Sequence, residues 1–140
     1  EYASRLDMLR TLAANMVRNG QQQLSVADVG VPVGGQSSSL VGEFPGMQYL
    51  GIFRADAPAP GDGGGSWEEL YQRERELLSA HGDRAALHFT TSEAAAGAVP
   101  LRALDMAVID AGGSEESVAR DLLLWESRVK PGGVLAGHNF

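Results

Sequence analysis

The chain contains no cysteine, which excludes a disulfide framework and any zinc-thiolate site and leaves the compartment unreadable from redox chemistry. It has no apolar run of membrane-spanning length and no recognisable signal peptide, so the expectation is a cytoplasmic protein without a membrane partner. Basic residues are few and scattered. Lys and Arg number 11 against 18 Asp and Glu, a net charge of -7, so a nucleic acid or an anionic surface is not expected as partner and a small molecule is. What the chain has is glycine, 18 in 140 residues, with an apolar fraction of 44%. Those values fit one loop-rich globular domain with a real core.

Tyr2, Leu6, Leu9, Ala13 and Met16 recur at steps of four and three, which predicts an amphipathic helix closed by Asn19-Gly20. Leu24–Val29 reads as a strand running into a flexible turn through Ser39, which opens a short helix at Leu40, Val41 and Phe44 that Pro45-Gly46 ends. Gln48–Phe53 is a second strand. Arg54–Gly65 is a Pro/Gly/Asp-rich stretch, a mobile lid or an unstructured connection. Ser66-Trp-Glu-Glu69 forms a capping box with Trp67, Leu70, Tyr71, Leu77 and Leu78 as the buried stripe behind it. Ala86–Thr90 is a third strand, Ser92–Ala96 a helical turn, and Asp105–Asp110 a fully buried strand of the parallel type. Ser114 caps the next helix, whose inner face is Val118, Leu122, Trp125 and Val129 and which Lys130-Pro131-Gly132 stops; Val134–Gly137 is the fifth strand. Strands alternating with helices imply right-handed crossovers and an α/β doubly wound, mainly parallel sheet with helices on both faces. The chain starts at Glu1 and stops after a strand, so residues 1–140 are expected to be a single-domain fragment lacking further strands. The unpaired edge this leaves also makes a homo-oligomer an expectation.

In an open parallel sheet ligands collect at the carboxyl ends of the strands, so Asp110 and the His138-Asn139 pair should border one crevice. A carboxylate ending an apolar strand has to be hydrogen-bonded, ligated or solvated in a cleft. Asp110 is therefore read as a cleft residue or as the cap of the helix near Ser114. An imidazole ordinarily titrates near neutral pH, so His138 is a candidate general base, the alternative being a structural histidine. The turn Gly30-x-x-x-Gly34-Gly35 lets backbone approach a ligand, or is a plain strand-to-helix loop. Its spacing is not the Gly-x-Gly-x-x-Gly of the dinucleotide fingerprint, which disfavours a nicotinamide oxidoreductase. His81 and His88 have no functional context, and both tryptophans sit at helix-core spacing.

Five segments, Asp28-Val-Gly-Val-Pro-Val-Gly34, Thr91-Ser-Glu-Ala94, Val108-Ile-Asp110, Asp121-Leu-Leu-Leu-Trp125 and Lys130-Pro-Gly-Gly-Val-Leu-Ala-Gly-His138, occur in this order. In them the chain resembles the class I S-adenosylmethionine-dependent methyltransferases, especially their small-molecule group. The resemblance implies a Rossmann-like fold, S-adenosylmethionine as cofactor, and direct transfer of its methyl group to a small-molecule acceptor, with Asp110 and His138 as catalytic residues. It implies a cofactor site at Asp28, Gly30, Val31, Gly34, Ser37, Phe53, Ser92 and Asp110. Gly30, Val31, Gly34 and Ser37 would surround the methionine part, and Ser92 would lie near the adenine.

The chain departs from the family pattern in three places. Phe53 stands where relatives carry an acidic acceptor for the ribose hydroxyls, with Asp56 three residues on as a substitute. Ala111-Gly-Gly113 replaces Gly-Asp-His, and Asn139 replaces an aspartate. Hard cations want several oxygen ligands, so with Asp110 and Asn139 remaining no metal is expected. The same losses define the alternative, a catalytically inactive methyltransferase-like domain serving ligand binding or protein interaction.

Overall fold

The computed structural model describes residues 5–30, 35–54, 66–110 and 114–138. Its elements alternate as the periodicity requires: α1 (Arg5–Arg18), β1 (Leu24–Val29), α2 (Gln36–Glu43), β2 (Met47–Arg54), α3 (Trp67–Leu78), a 3-10 segment (Ser79–Arg84), β3 (Ala85–Thr90), α4 (Ser92–Gly97), β4 (Leu104–Asp110), α5 (Glu115–Glu126) and β5 (Val129–His138). The strands form one parallel sheet in the order β3-β2-β1-β4-β5. Strand order reverses between β1 and β4, and their carboxyl ends are where an open α/β sheet leaves a crevice.

Both faces of the sheet are covered, which is why its strands are apolar on both sides. On one face Met8 and Leu9 of α1, Leu40 and Val41 of α2, and Leu70 and Leu78 of α3 pack on Val26, Met47, Tyr49 and Val108. On the other, Ala95 and Ala96 of α4 and Trp125 of α5 pack on Ala27, Val29, Ile52 and Ile109. Successive strand residues thus serve opposite cores. Ser66, Thr91 and Ser114 cap α3, α4 and α5 by accepting from the amides of Glu69, Ala94 and Ser117, each leaving one fewer unpaired donor at the helix start. At the amino ends of the strands, buried Asp105 accepts from the Ser25 amide at 2.8 Å, Gln21 Nε2 at 3.0 Å and Lys130 Nζ at 3.2 Å.

Two local expectations need correction. Lys130-Pro131-Gly132 does not stop a helix: α5 ends at Glu126, and β5 already begins at Val129, which pairs with Leu104. Between the pairs Leu104/Val129 and Met106/Val134 the register shifts, so β5 bulges, with Gly132 at φ 82°. An irregular stretch of an edge strand accommodates a proline that the middle of a sheet would not. In α3, Leu77 is 45% exposed and does not join the buried stripe; Glu74 is buried between Leu70 and Leu78 instead.

Candidate functional site

Asp28, Gly30, Phe53, Arg54 and Asp110 stand at the carboxyl ends of β1, β2 and β4. Their surroundings differ sharply. Asp28 is buried, and its carboxylate accepts from Arg5 Nη2 and, at 2.7 Å, from the Tyr49 hydroxyl. The Tyr49 oxygen lies 3.0 Å from Ser37 Oγ, so Asp28, Tyr49 and Ser37 form a buried chain of polar groups beneath α2. Burial first, and the Asp28 charge second, push the Tyr49 hydroxyl well above its ordinary pKa. It therefore stays a neutral donor, as an acceptor carboxylate needs.

Arg5 connects this chain to the end of β4. Its Nη1 donates to the Gly30 carbonyl at 2.5 Å and lies 3.3 Å from Asp110 Oδ2, while Nη2 also donates to the Val29 carbonyl at 3.0 Å. One guanidinium from the start of α1 thus spans the ends of β1 and β4. Asp110 keeps 33% of its side-chain surface exposed, whereas Asp28 keeps 1%. The side-chain cap of α5 is Ser114, while Asp110 ends β4 partly exposed and paired with Arg5. Arg5 Nε is buried with no hydrogen-bond partner, a local cost that the guanidinium's other contacts offset.

Gly30 sits at φ 85° beside these groups. A Cβ there would lie 2.9 Å from Asp110 Cβ, closer than packed atoms come, so this position requires a bare Cα. Phe53 is buried among rings: its centroid is 6.0 Å from Trp67, 5.9 Å from Tyr71 and 6.5 Å from Phe89. Arg54, the next residue, pairs through Nη1 with buried Asp121 of α5 at 3.1 Å, and the same nitrogen donates to the Asp110 carbonyl at 3.4 Å, so a second guanidinium stands at the end of β4. Ser92 is buried and accepts from Trp125 Nε1 at 2.9 Å. Asp110 and His138 are register partners on β4 and β5, which brings the two catalytic candidates to the same end of neighbouring strands. Val31, Gly34, Asp56, Asn139 and 111–113 lie outside the described residues. Among the described residues, no three His, Cys, Asp or Glu side chains group as metal ligands would, and no helix is long and apolar enough to cross a membrane.

Sequence reasoning missed Arg5, Tyr49 and Glu74. The buried Glu74 accepts from the Gly35 amide at 3.1 Å, at the start of α2. For two of the three a signal was present. Arg5 precedes Met8 and Leu9 by three and four residues, and Glu74 lies four from both Leu70 and Leu78. An ionisable residue on the apolar stripe of a helix has to find a buried partner.

Residues 9–140 match the family described as a methyltransferase domain. A comparison with curated protein sequences finds no match. Among solved structures, the chain is similar to a Staphylococcus aureus protein assigned as a caffeoyl-CoA O-methyltransferase, with TM-score 0.67 at 14% identity over 97% of this chain and 58% of that one. It is also similar to the precorrin-6y C5,15-methyltransferase of Geobacter metallireducens, with TM-score 0.61 at 15% identity over 96% of this chain and 64% of that one. A third is the bifunctional kinase-methyltransferase WbdD, with TM-score 0.63 at 20% identity over 89% of this chain and 26% of that one. The chain spans between 26% and 64% of the length of these structures, whose likeness shows the fold. Together with the family match over 9–140, the five-stranded sheet establishes that this chain belongs to the methyltransferase-domain family and carries its Rossmann-like class I fold.

Proposed function

We propose that the domain binds S-adenosylmethionine at the carboxyl ends of β1 and β4 and serves direct methyl transfer to a small molecule. The observation that carries this reading is the family match over residues 9–140. Two features of the crevice fit the donor. Gly30 leaves room where a side chain would collide with Asp110. Asp28, Asp110 and Asp121 against Arg5 and Arg54 leave one net negative charge at these strand ends, which suits a ligand of one net positive charge. Bound there, S-adenosylmethionine would supply an electrophilic methyl group.

The chain's own residues would then position the reactants. Gly30 would offer backbone to the methionine part, a role the family resemblance also gives Val31 and Gly34, with Asp28 held by Arg5 and joined to Ser37 through Tyr49. Ser92 stands on the adenine side. Asp110 faces the transfer site, and His138, its register partner, takes the proton of an acceptor that carries one.

Phe53 favours a second reading, a catalytically inactive domain that binds a ligand or a protein partner. It is 2% exposed and has no acceptor for a ribose hydroxyl. Isothermal titration with S-adenosylmethionine and S-adenosylhomocysteine, with NAD as competitor, separates the readings. Micromolar binding, about -8 kcal/mol, that NAD does not displace supports the donor site. No binding of either ligand supports the inactive domain.

A further inference from the structure

Arg5 is the unexpected member of the crevice. Its contacts run to both strand ends that define the opening: Asp28 and the Val29 and Gly30 carbonyls on one side, Asp110 on the other. The buried Nε without an acceptor shows that the guanidinium is kept there although its hydrogen bonding is incomplete. A buried cation held at such a cost acts on whatever charge enters beside it, because fields in a partly desolvated crevice are weakly screened.

Resting on the donor reading above, we infer that Arg5 is a positioning residue that sets the crevice's preference between the charged donor and its neutral product. S-adenosylmethionine and S-adenosylhomocysteine differ by a methyl group and the sulfonium charge. Two carboxylates without Arg5 would hold the sulfonium form tightly. That hold would oppose transfer, in which the positive charge disappears, because binding the ground state more strongly than the transition state slows the chemical step. By cancelling one of the two charges, Arg5 keeps attraction for the donor while limiting this penalty. Asp110 is the more exposed of the two carboxylates, and Arg54, whose Nη1 donates to the Asp110 carbonyl at 3.4 Å, is balanced by Asp121.

The test is the ratio of dissociation constants for S-adenosylhomocysteine and S-adenosylmethionine, measured by titration calorimetry on the native domain and on Arg5→Met, Arg5→Lys and Asp110→Asn. A purely architectural arginine would weaken both ligands together and leave the ratio alone. The expected result is a ratio about tenfold higher in Arg5→Met, about tenfold lower in Asp110→Asn, and near the native value in Arg5→Lys, which keeps the charge and loses the fork. Should Arg5→Met fail to fold by circular dichroism, Arg5→Gln, which removes the charge and keeps an amide donor, takes its place with the same expected rise in the ratio, and an unchanged ratio in it overturns the inference. An unchanged ratio in Asp110→Asn or in folded Arg5→Met overturns it while leaving the donor reading intact. Binding of neither ligand to the native domain overturns both.

Discussion

Gly30 and Asp110 meet across two neighbouring parallel strands so closely that a Cβ on Gly30 would stand 2.9 Å from the Asp110 Cβ. The contact falls where the order of the sheet reverses, between β1 and β4. The bare Cα is therefore what lets the two strand ends and the Arg5 guanidinium share one space.

Gly30→Ala combines that collision with a left-handed backbone, φ 85°. It is expected to cost about 1–3 kcal/mol. Urea denaturation should show a lower midpoint at an unchanged slope, and a midpoint equal to the native one would contradict the packing described.

Arg5→Met removes the partner of a carboxylate that is 1% exposed. Breaking one side of a buried pair costs about 3–5 kcal/mol, because the other charge stays behind. A loss below about 1 kcal/mol in the same denaturation experiment would mean that water reaches Asp28.

Tyr49 makes the domain sensitive to alkali. Burial and then Asp28 raise its pKa in the folded chain above the value of about 10 it has unfolded. The folded state then holds this proton more tightly, so its contribution to stability is complete below about pH 10 and is lost progressively as pH rises beyond that. Tyr49→Phe should be less stable at neutral pH by about 1–3 kcal/mol, having left the Asp28 carboxylate short of a donor. Its midpoint should also fall less between about pH 10 and 11 than the native one does. Equal alkaline slopes in the two proteins would refute this.

Phe53→Asp would introduce the acidic residue that the family resemblance implies at the end of the second strand, yet the structure predicts damage. The ring is enclosed by Trp67, Tyr71 and Phe89. Replacing it leaves a cavity and a buried charge, a loss of about 3–5 kcal/mol or more. Thermal melting followed by circular dichroism should show a large drop. A stable variant that binds S-adenosylmethionine more tightly than the native chain would mean that the phenyl ring obstructs a ribose site.

The order of elements was legible in the sequence because each helix and strand carries its own period, and the caps at Ser66 and Ser114 mark two starts within a residue. The place of Asp110 at a partly exposed strand end was legible because a carboxylate closing an apolar run such as Leu104–Asp110 is costly to bury. The end of α5 was not, since Lys130-Pro131-Gly132 punctuates a bulged edge strand as readily as a helix terminus. Nor was the Arg5 bridge, which joins residues 23 and 105 positions apart and depends on where α1 docks on the sheet. The apolar stripes of α1, α3 and α5 each contain one buried charge, Arg5, Glu74 and Asp121. Periodicity read with attention to those exceptions would have singled out all three.

If the carboxyl ends of β1 and β4 hold the methyl donor, saturating S-adenosylhomocysteine should slow hydrogen exchange of the native domain, with the slowing concentrated at 28–30 and 109–110. Protection elsewhere with none at these strand ends, or no change at all, would contradict that placement of the donor.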